Sequence, residues 1–236
     1  MAAVRLGSYK NTRREAMTVG TAATRIRSSV TTIGLAHTLH DLTLRAANRA
    51  LVVKILKGMT AERVNPLFLT CPAPYRPMFL DAKALREFGR DPGNGLPESF
   101  LEEALAKGDE CYGILDGETL AAYGWYARTP TRIDPPDLVL HPGNEYVYMY
   151  KGYTHTGHRG RRLHAIGMTL ALQEYLARGY KGLVSYVESN NFSSLNSVTR
   201  MGYEIFGTVY ALEMFGIHLV HASAGWAAHG VRVERG

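Results

Sequence analysis

The chain has 236 residues, 46% of them hydrophobic, enough to bury the core of one α/β domain with an appendage, and nothing in that composition supports a disordered or fibrous protein. Its net charge of +6 is concentrated in residues 1 to 58, where ten Lys or Arg face only Glu15 and Asp41, so the basicity does not describe the body of the protein. Cys71 and Cys111 are too few for a disulfide framework and lack metal-ligand spacing, so neither a disulfide scaffold nor a metal is expected.

Residues 1 to 34 show no sustained periodicity and contain Gly7, Gly20 and Gly34, which predicts a loosely ordered basic segment. They hold no apolar h-region, and no run of 18 apolar residues occurs in the chain, so neither a secretory leader nor a membrane-spanning helix is expected and the cytoplasm is the expected location. Over residues 35 to 58, Leu39, Leu42, Ala46, Val53 and Leu56 fall on one helical stripe and Gly58 is a natural stop, which predicts an amphipathic helical extension. Packing on its own domain is the usual role of such a helix; peripheral contact with an anionic membrane is the alternative.

Residues 59 to 236 are expected to form the main domain. The proline-rich CPAPYRP leads into two helix-like segments, MFLDAKALREFG and LPESFLEEALAKG, the second running from Pro97 and Glu98 to Lys107 and Gly108 in the charge order a helix dipole favours. ECYGILDGETLAAYGWYART follows, two β-rich runs flanking Asp116-Gly117, a strong hairpin signal. The four prolines of PTRIDPPDLVLHPG predict a rim loop or an edge. EYVYMYKGYTH reads as a long strand, and a helix from about Gly160 to Arg178 follows, with Leu163, Ile166, Gly167 and Leu170 on one face and Leu172 and Leu176 widening it. GLVSYVES is a further strand, NFSSLNSVTRMG a short helix and YEIFGTVYALEMFG one or two closing strands. This order predicts an α/β (α+β) fold, a mixed and mostly antiparallel sheet with a central parallel strand-helix-strand crossover and helices on both faces.

At the start of a crossover helix, unpaired N–H groups and the positive end of the dipole make an anion site. GHRGRRL puts His158, Arg159, Arg161 and Arg162 there around Gly160. Cations at a helix N-terminus are unfavourable unless an anion offsets them, so residues 157 to 163 are read as a phosphate or pyrophosphate site.

HRGRRL resembles the pyrophosphate-binding loop, R/Q-x-x-G-x-G/A, of the GNAT superfamily of acyl-CoA-dependent N-acyltransferases. NNFSSLNSVTRMGY is similar to the second GNAT signature through Asn191, Ser194 and Gly202-Tyr203, and the LDGETLAAYGW hairpin looks like the family's second and third strands. The resemblance covers roughly residues 67 to 216. It implies direct transfer of an acyl group from acyl-CoA, acetyl-CoA or a longer chain, to the amine of a small molecule or peptide, in a sheet that splays after the fourth strand. It also implies that backbone N–H groups near Thr154 and Thr156 meet the acyl carbonyl and pantetheine, that His158, Arg159, Gly160, Arg161 and Arg162 hold the pyrophosphate, and that Asn191 and Ser194 belong to the donor site.

Glu145 takes the place of the family's general base, with His155 and Glu188 as competitors, while the family's acidic Tyr falls on Val198 and leaves Tyr210 as its substitute. Read from Arg159, the two glycine positions of the loop are Arg162 and His164. Two other readings stay open: a donor carried on an acyl carrier protein, docked by the basic N-terminal segment, and a catalytically silent GNAT-like binding module. No nucleic-acid motif accompanies the charge, so nucleic acid is not an expected partner.

Overall fold

A computed structural model describes residues 28–32, 34–48, 52–133, 137–215 and 217–236. Of the loose segment expected over residues 1 to 34, residues 1–27 and 33 lie outside them, and residues 28–32 are helical.

Helix α1 (Leu35–Ala47) ends eleven residues before the predicted stop at Gly58. Asn48 is what turns the chain: its Nδ2 donates to the Leu44 and Val53 carbonyls, and its Oδ1 accepts from the Val53 N–H. The second half of the expected helix is instead strand β1 (Val52–Ala61), rich in β-branched residues and buried at Leu56, Met59, Thr60 and Ala61, so the predicted boundary after residue 58 falls inside a strand.

There follow β2 (Tyr75–Leu80), α2 (Ala82–Gly89), α3 (Glu98–Ala106), β3 (Glu110–Asp116), β4 (Thr119–Ala127), β5 (Thr131–Ile133), β6 (Leu138–His141) and β7 (Tyr146–Thr154). The chain then forms α4 (Leu163–Ala177), β8 (Gly182–Glu188), α5 (Phe192–Arg200), β9 (Glu204–Met214), β10 (Ile217–Ala222), α6 (Ala224–Ala228) and β11 (Arg232–Arg235). Met78 to Leu80, expected in a helix, belong to β2; Asp81 starts α2 by accepting from the Ala84 N–H at 2.8 Å. Pro77 is tolerated because β2 is an edge strand, paired only with β3. The proline-rich rim contributes β5 and β6 to a separate small sheet, β11-β6-β5.

The main sheet has eight strands in the order β10-β9-β1-β8-β7-β4-β3-β2, antiparallel throughout except for β7 and β8. The predicted mixed fold with a central parallel crossover is thus present, but β1 sits between β8 and β9, with Leu56 opposite Glu188 on one side and Val209 on the other. Successive residues point to opposite faces. Tyr112 and Ala122 join Met59, Val147 and Met149 beneath α4, whereas Cys111 and Tyr123 join Leu85, Leu101 and Trp125 beneath α2 and α3. Farther along that second face, Leu56, Tyr148 and Val184 pack with Trp226 of α6 and with the small sheet. Gly58 makes this contact possible, since a Cβ there would lie 2.5 Å from Trp226 Cζ2. No helix among the described residues is long and apolar enough to cross a membrane.

Candidate active site

The parallel pair is short. β7 and β8 are in register only over Tyr146–Tyr148 and Gly182–Val184; beyond that β7 stays on β4 as far as Thr154, and β8 stays on β1 as far as Glu188. The strands therefore diverge toward their carboxyl ends. A bulge accounts for part of this: Trp125 faces Lys151 and Tyr126 faces Met149, which leaves Tyr150 unmatched and bends β7. At the crotch Ser185 Oγ donates to the Met149 carbonyl at 2.9 Å, replacing a ladder bond with a side chain. Past it, the β7 edge toward β8 has no strand partner among the described residues and offers backbone groups to an extended ligand.

The anion loop leaves β7 at this open end. Residues Thr156–His158 form a 3-10 turn, anchored by the His155 N–H on the Ala121 carbonyl at 2.9 Å. The His158 Nδ1 is 3.0 Å from Tyr75 Oη and 3.9 Å from Asp116 Oδ2, Arg159 Nε donates to the Thr154 carbonyl at 3.4 Å, and the Arg161 guanidinium lies 6.0 Å from the centre of the Tyr75 ring. Arg159, Arg161 and Arg162 are exposed at the mouth, Thr156 with them, while Thr154 is half-buried. The first turn of α4 has no side-chain cap, so its N–H groups point outward. Its N-cap residue, Arg162, has φ 61 and ψ 15, the left-handed conformation that glycine adopts freely and another residue adopts at a cost of about 1 kcal/mol. The chain has kept the turn that the motif's glycine serves and has placed a guanidinium on it.

His164, at the second glycine position, turns its imidazole onto the backbone of β7 at Gly152, leaving no room there for a Cβ. Burial pushes this imidazole down to about 4. Below about pH 6.5 the unfolded chain takes up a proton that the folded chain refuses until about pH 4, so stability is expected to fall as pH drops through that window, by about 3 kcal/mol. His164→Gln should remove that share; equal acid sensitivity of the two melting temperatures between pH 7 and 4.5 would show the ring to be solvated.

The candidate acid-base residues are not gathered here. Glu145 is exposed and immediately precedes β7, at its amino end, about 30 Å of strand from Thr154. The gap opens at the carboxyl ends of the parallel pair, so Glu145 does not reach it. Glu188 is at the correct end but pairs with Lys54 Nζ at 2.9 Å, and His155 Nδ1 accepts from the Gly157 N–H at 3.3 Å. Tyr210 lies on β9, half-exposed and separated from β8 by β1, and Val198 is buried in the core. Asn191 caps α5, its Oδ1 accepting from the Ser194 N–H at 3.2 Å and the Ser193 hydroxyl at 3.1 Å; both it and Ser194 are half-buried at the carboxyl end of β8.

A polar cluster on β7 went unpredicted. Lys151, only 2% exposed, donates from Nζ to the Gly95 carbonyl at 2.7 Å and lies 3.8 Å from the centre of the Phe100 ring; burial lowers its ammonium to about 8. Tyr153 and Tyr123 donate to the Gly93 and Asn94 carbonyls at 2.7 and 2.8 Å. Together the three side chains pin the loop between α2 and α3 over the bulged strand. The signal was the alternation of Tyr and Lys in YVYMYKGYT, whose polar ends need partners when buried.

No family model matches the chain, and no curated protein matches it. Among solved structures, an acetyltransferase of the GNAT family from Colwellia psychrerythraea is similar over 70% of this chain and 57% of its own, at 15% identity and a TM-score of 0.50. A structure described as a GNAT-family acetyltransferase from Novosphingobium aromaticivorans is similar over 68% of this chain and 63% of its own (15% identity, TM-score 0.47), and a tandem GNAT protein from the clavulanic acid biosynthesis pathway over 73% and 57% (17% identity, TM-score 0.47). The chain thus spans about three fifths of the length of these proteins. It has the GNAT fold.

Proposed function

We propose that the protein is an N-acyltransferase that moves an acyl group from acyl-CoA to the amine of a small molecule or peptide by direct attack. The observation that carries the reading is the splay of β7 from β8, with an uncapped, arginine-lined helix start at its mouth. A pyrophosphate suits that mouth in charge and in donors, and Arg162 holds the backbone shape that the loop requires. The unpaired edge of β7 supplies N–H donors for the acyl carbonyl. The amine nitrogen attacks the thioester carbon, the C–S bond breaks and CoA leaves as thiol. Glu188 and His155 are already engaged, so this reading gives the amine's surplus proton to water.

Acyl-CoAs of rising chain length should raise the melting temperature, and an added amine should release thiol. The exposed arginines also suit the phosphopantetheine and acidic surface of an acyl carrier protein, so a carrier belongs in the same panel. Absence of any shift with either donor would refute both; a shift without thiol release under any amine would mark a silent binding module.

A further inference from the structure

Helix α1 runs beside β1 without sealing against it; Thr38 is its one buried residue. Two openings remain along the strand. The smaller, about 350 Å³ near Asn48, contains the Lys54–Glu188 ion pair, so its charges are already matched. The larger, about 580 Å³, lies between α1, β1, α5 and β9, within the size range of small-molecule sites.

Its lining joins an apolar wall to neutral and basic polar groups. Ile55, Leu195 and Phe192 form an apolar wall, with the His37 ring 4.4 Å from that of Phe192. Lys57, His40, Ser189 and Tyr210 are among its polar groups, with Thr32 and Asn196, and no acidic residue is among the described residues that line the cavity. His40 Nε2 and Ser189 Oγ are 3.1 Å apart, which ties α1 to the carboxyl end of β8. Lys57 Nζ donates to the neutral Thr208 hydroxyl at 3.0 Å and, among the described residues, has no carboxylate within 4.0 Å, unlike Lys54 on the same strand. A half-buried ammonium facing neutral groups in a cavity of this size lacks only a counter-ion.

We propose that this cavity binds a small molecule that joins an anionic group, carboxylate or phosphate, to an apolar body, with the anion on Lys57 and the apolar part against Phe192 and Ile55. The proposal does not depend on acyl transfer, because the test reads binding alone. Calorimetric titration of the full chain with benzoate, phenyl phosphate and neutral benzyl alcohol should show at least one anion binding tenfold or more tighter than the alcohol, and the tighter anion identifies the head group. Lys57→Gln should weaken that anion about tenfold, whereas Lys57→Arg, which keeps the charge and guards against a misfolded Gln variant, should retain it. Phe192→Ala should weaken both anions. Arg162→Ala, at the separate α4 mouth, should leave these affinities unchanged. Failure of both anions to saturate by about 10 mM, an unaffected Lys57→Gln, or a loss that follows Arg162 instead would each overturn the proposal.

Discussion

A chain shortened to begin at residue 59 will not fold. The cut removes most of β1, and β1 is interior: it carries ladders to β8 and β9 and buries Leu56, with Gly58 closed over by Trp226. Losing one fully buried Leu costs about 2–5 kcal/mol, and two unpaired interior edges add to that, against a total stability of about 5–15 kcal/mol for a typical domain. The shortened protein should be insoluble or show no cooperative thermal transition by circular dichroism. A soluble product that melts cooperatively would mean that β8 and β9 close on each other and that β1 is dispensable. A mere loss of solubility, as from an uncovered surface helix, is a smaller effect than the strand's position demands.

Arg162→Ala will weaken CoA binding by about ten- to a hundredfold, the worth of one charge-assisted contact of about 1.5–3 kcal/mol, and the loss will shrink as salt is raised. Ala keeps the side-chain penalty of the left-handed backbone, so the melting temperature should hardly change. Arg162→Gly separates the two roles. It should lose the same affinity while melting higher, because glycine relieves up to about 1 kcal/mol of backbone strain, offset in part by its greater freedom when unfolded. Titrating CoA at two ionic strengths, with calorimetric melting of all three proteins, tests both statements. Unchanged affinity in Arg162→Ala would remove the guanidinium from the donor site; tighter binding by Arg162→Gly would make it an obstruction.

What could be read from sequence was what has a local cause. The β3–β4 hairpin turns at Gly117, the crossover is a strand, a helix and a strand in succession, and the loop before α4 carries its own basic motif. β1 escaped because each of its faces mixes apolar residues with a lysine, Lys54 on one and Lys57 on the other, so it shows no two-residue alternation, while Val53 and Leu56, three apart, continue the helical stripe of α1. Gly58 was misread for the same reason: a glycine can end a helix or admit a neighbour's ring, and only the position of Trp226 decides. Glu145 was placed by its nearness to the strand start, but which end of a parallel pair opens depends on the bulge at Tyr150 and on the partners of β8. The alternation in YVYMYKGYT marks Lys151 as a group that needs a partner if buried, but its partners, Gly95 and Phe100, lie more than fifty residues earlier in the chain and have no local signature.

The place of β1 also bears on how the protein is made. It is the earliest of the described strands to be made, yet Leu56 must wait for Glu188 on one flank and Val209 on the other before either ladder can form. Through most of synthesis the nascent chain therefore carries a strand with two unsatisfied edges, tied locally at the turn at Asn48. The sheet can be completed only after β9 has been made, and until then the unpaired edges of β1 are a natural target for chaperones.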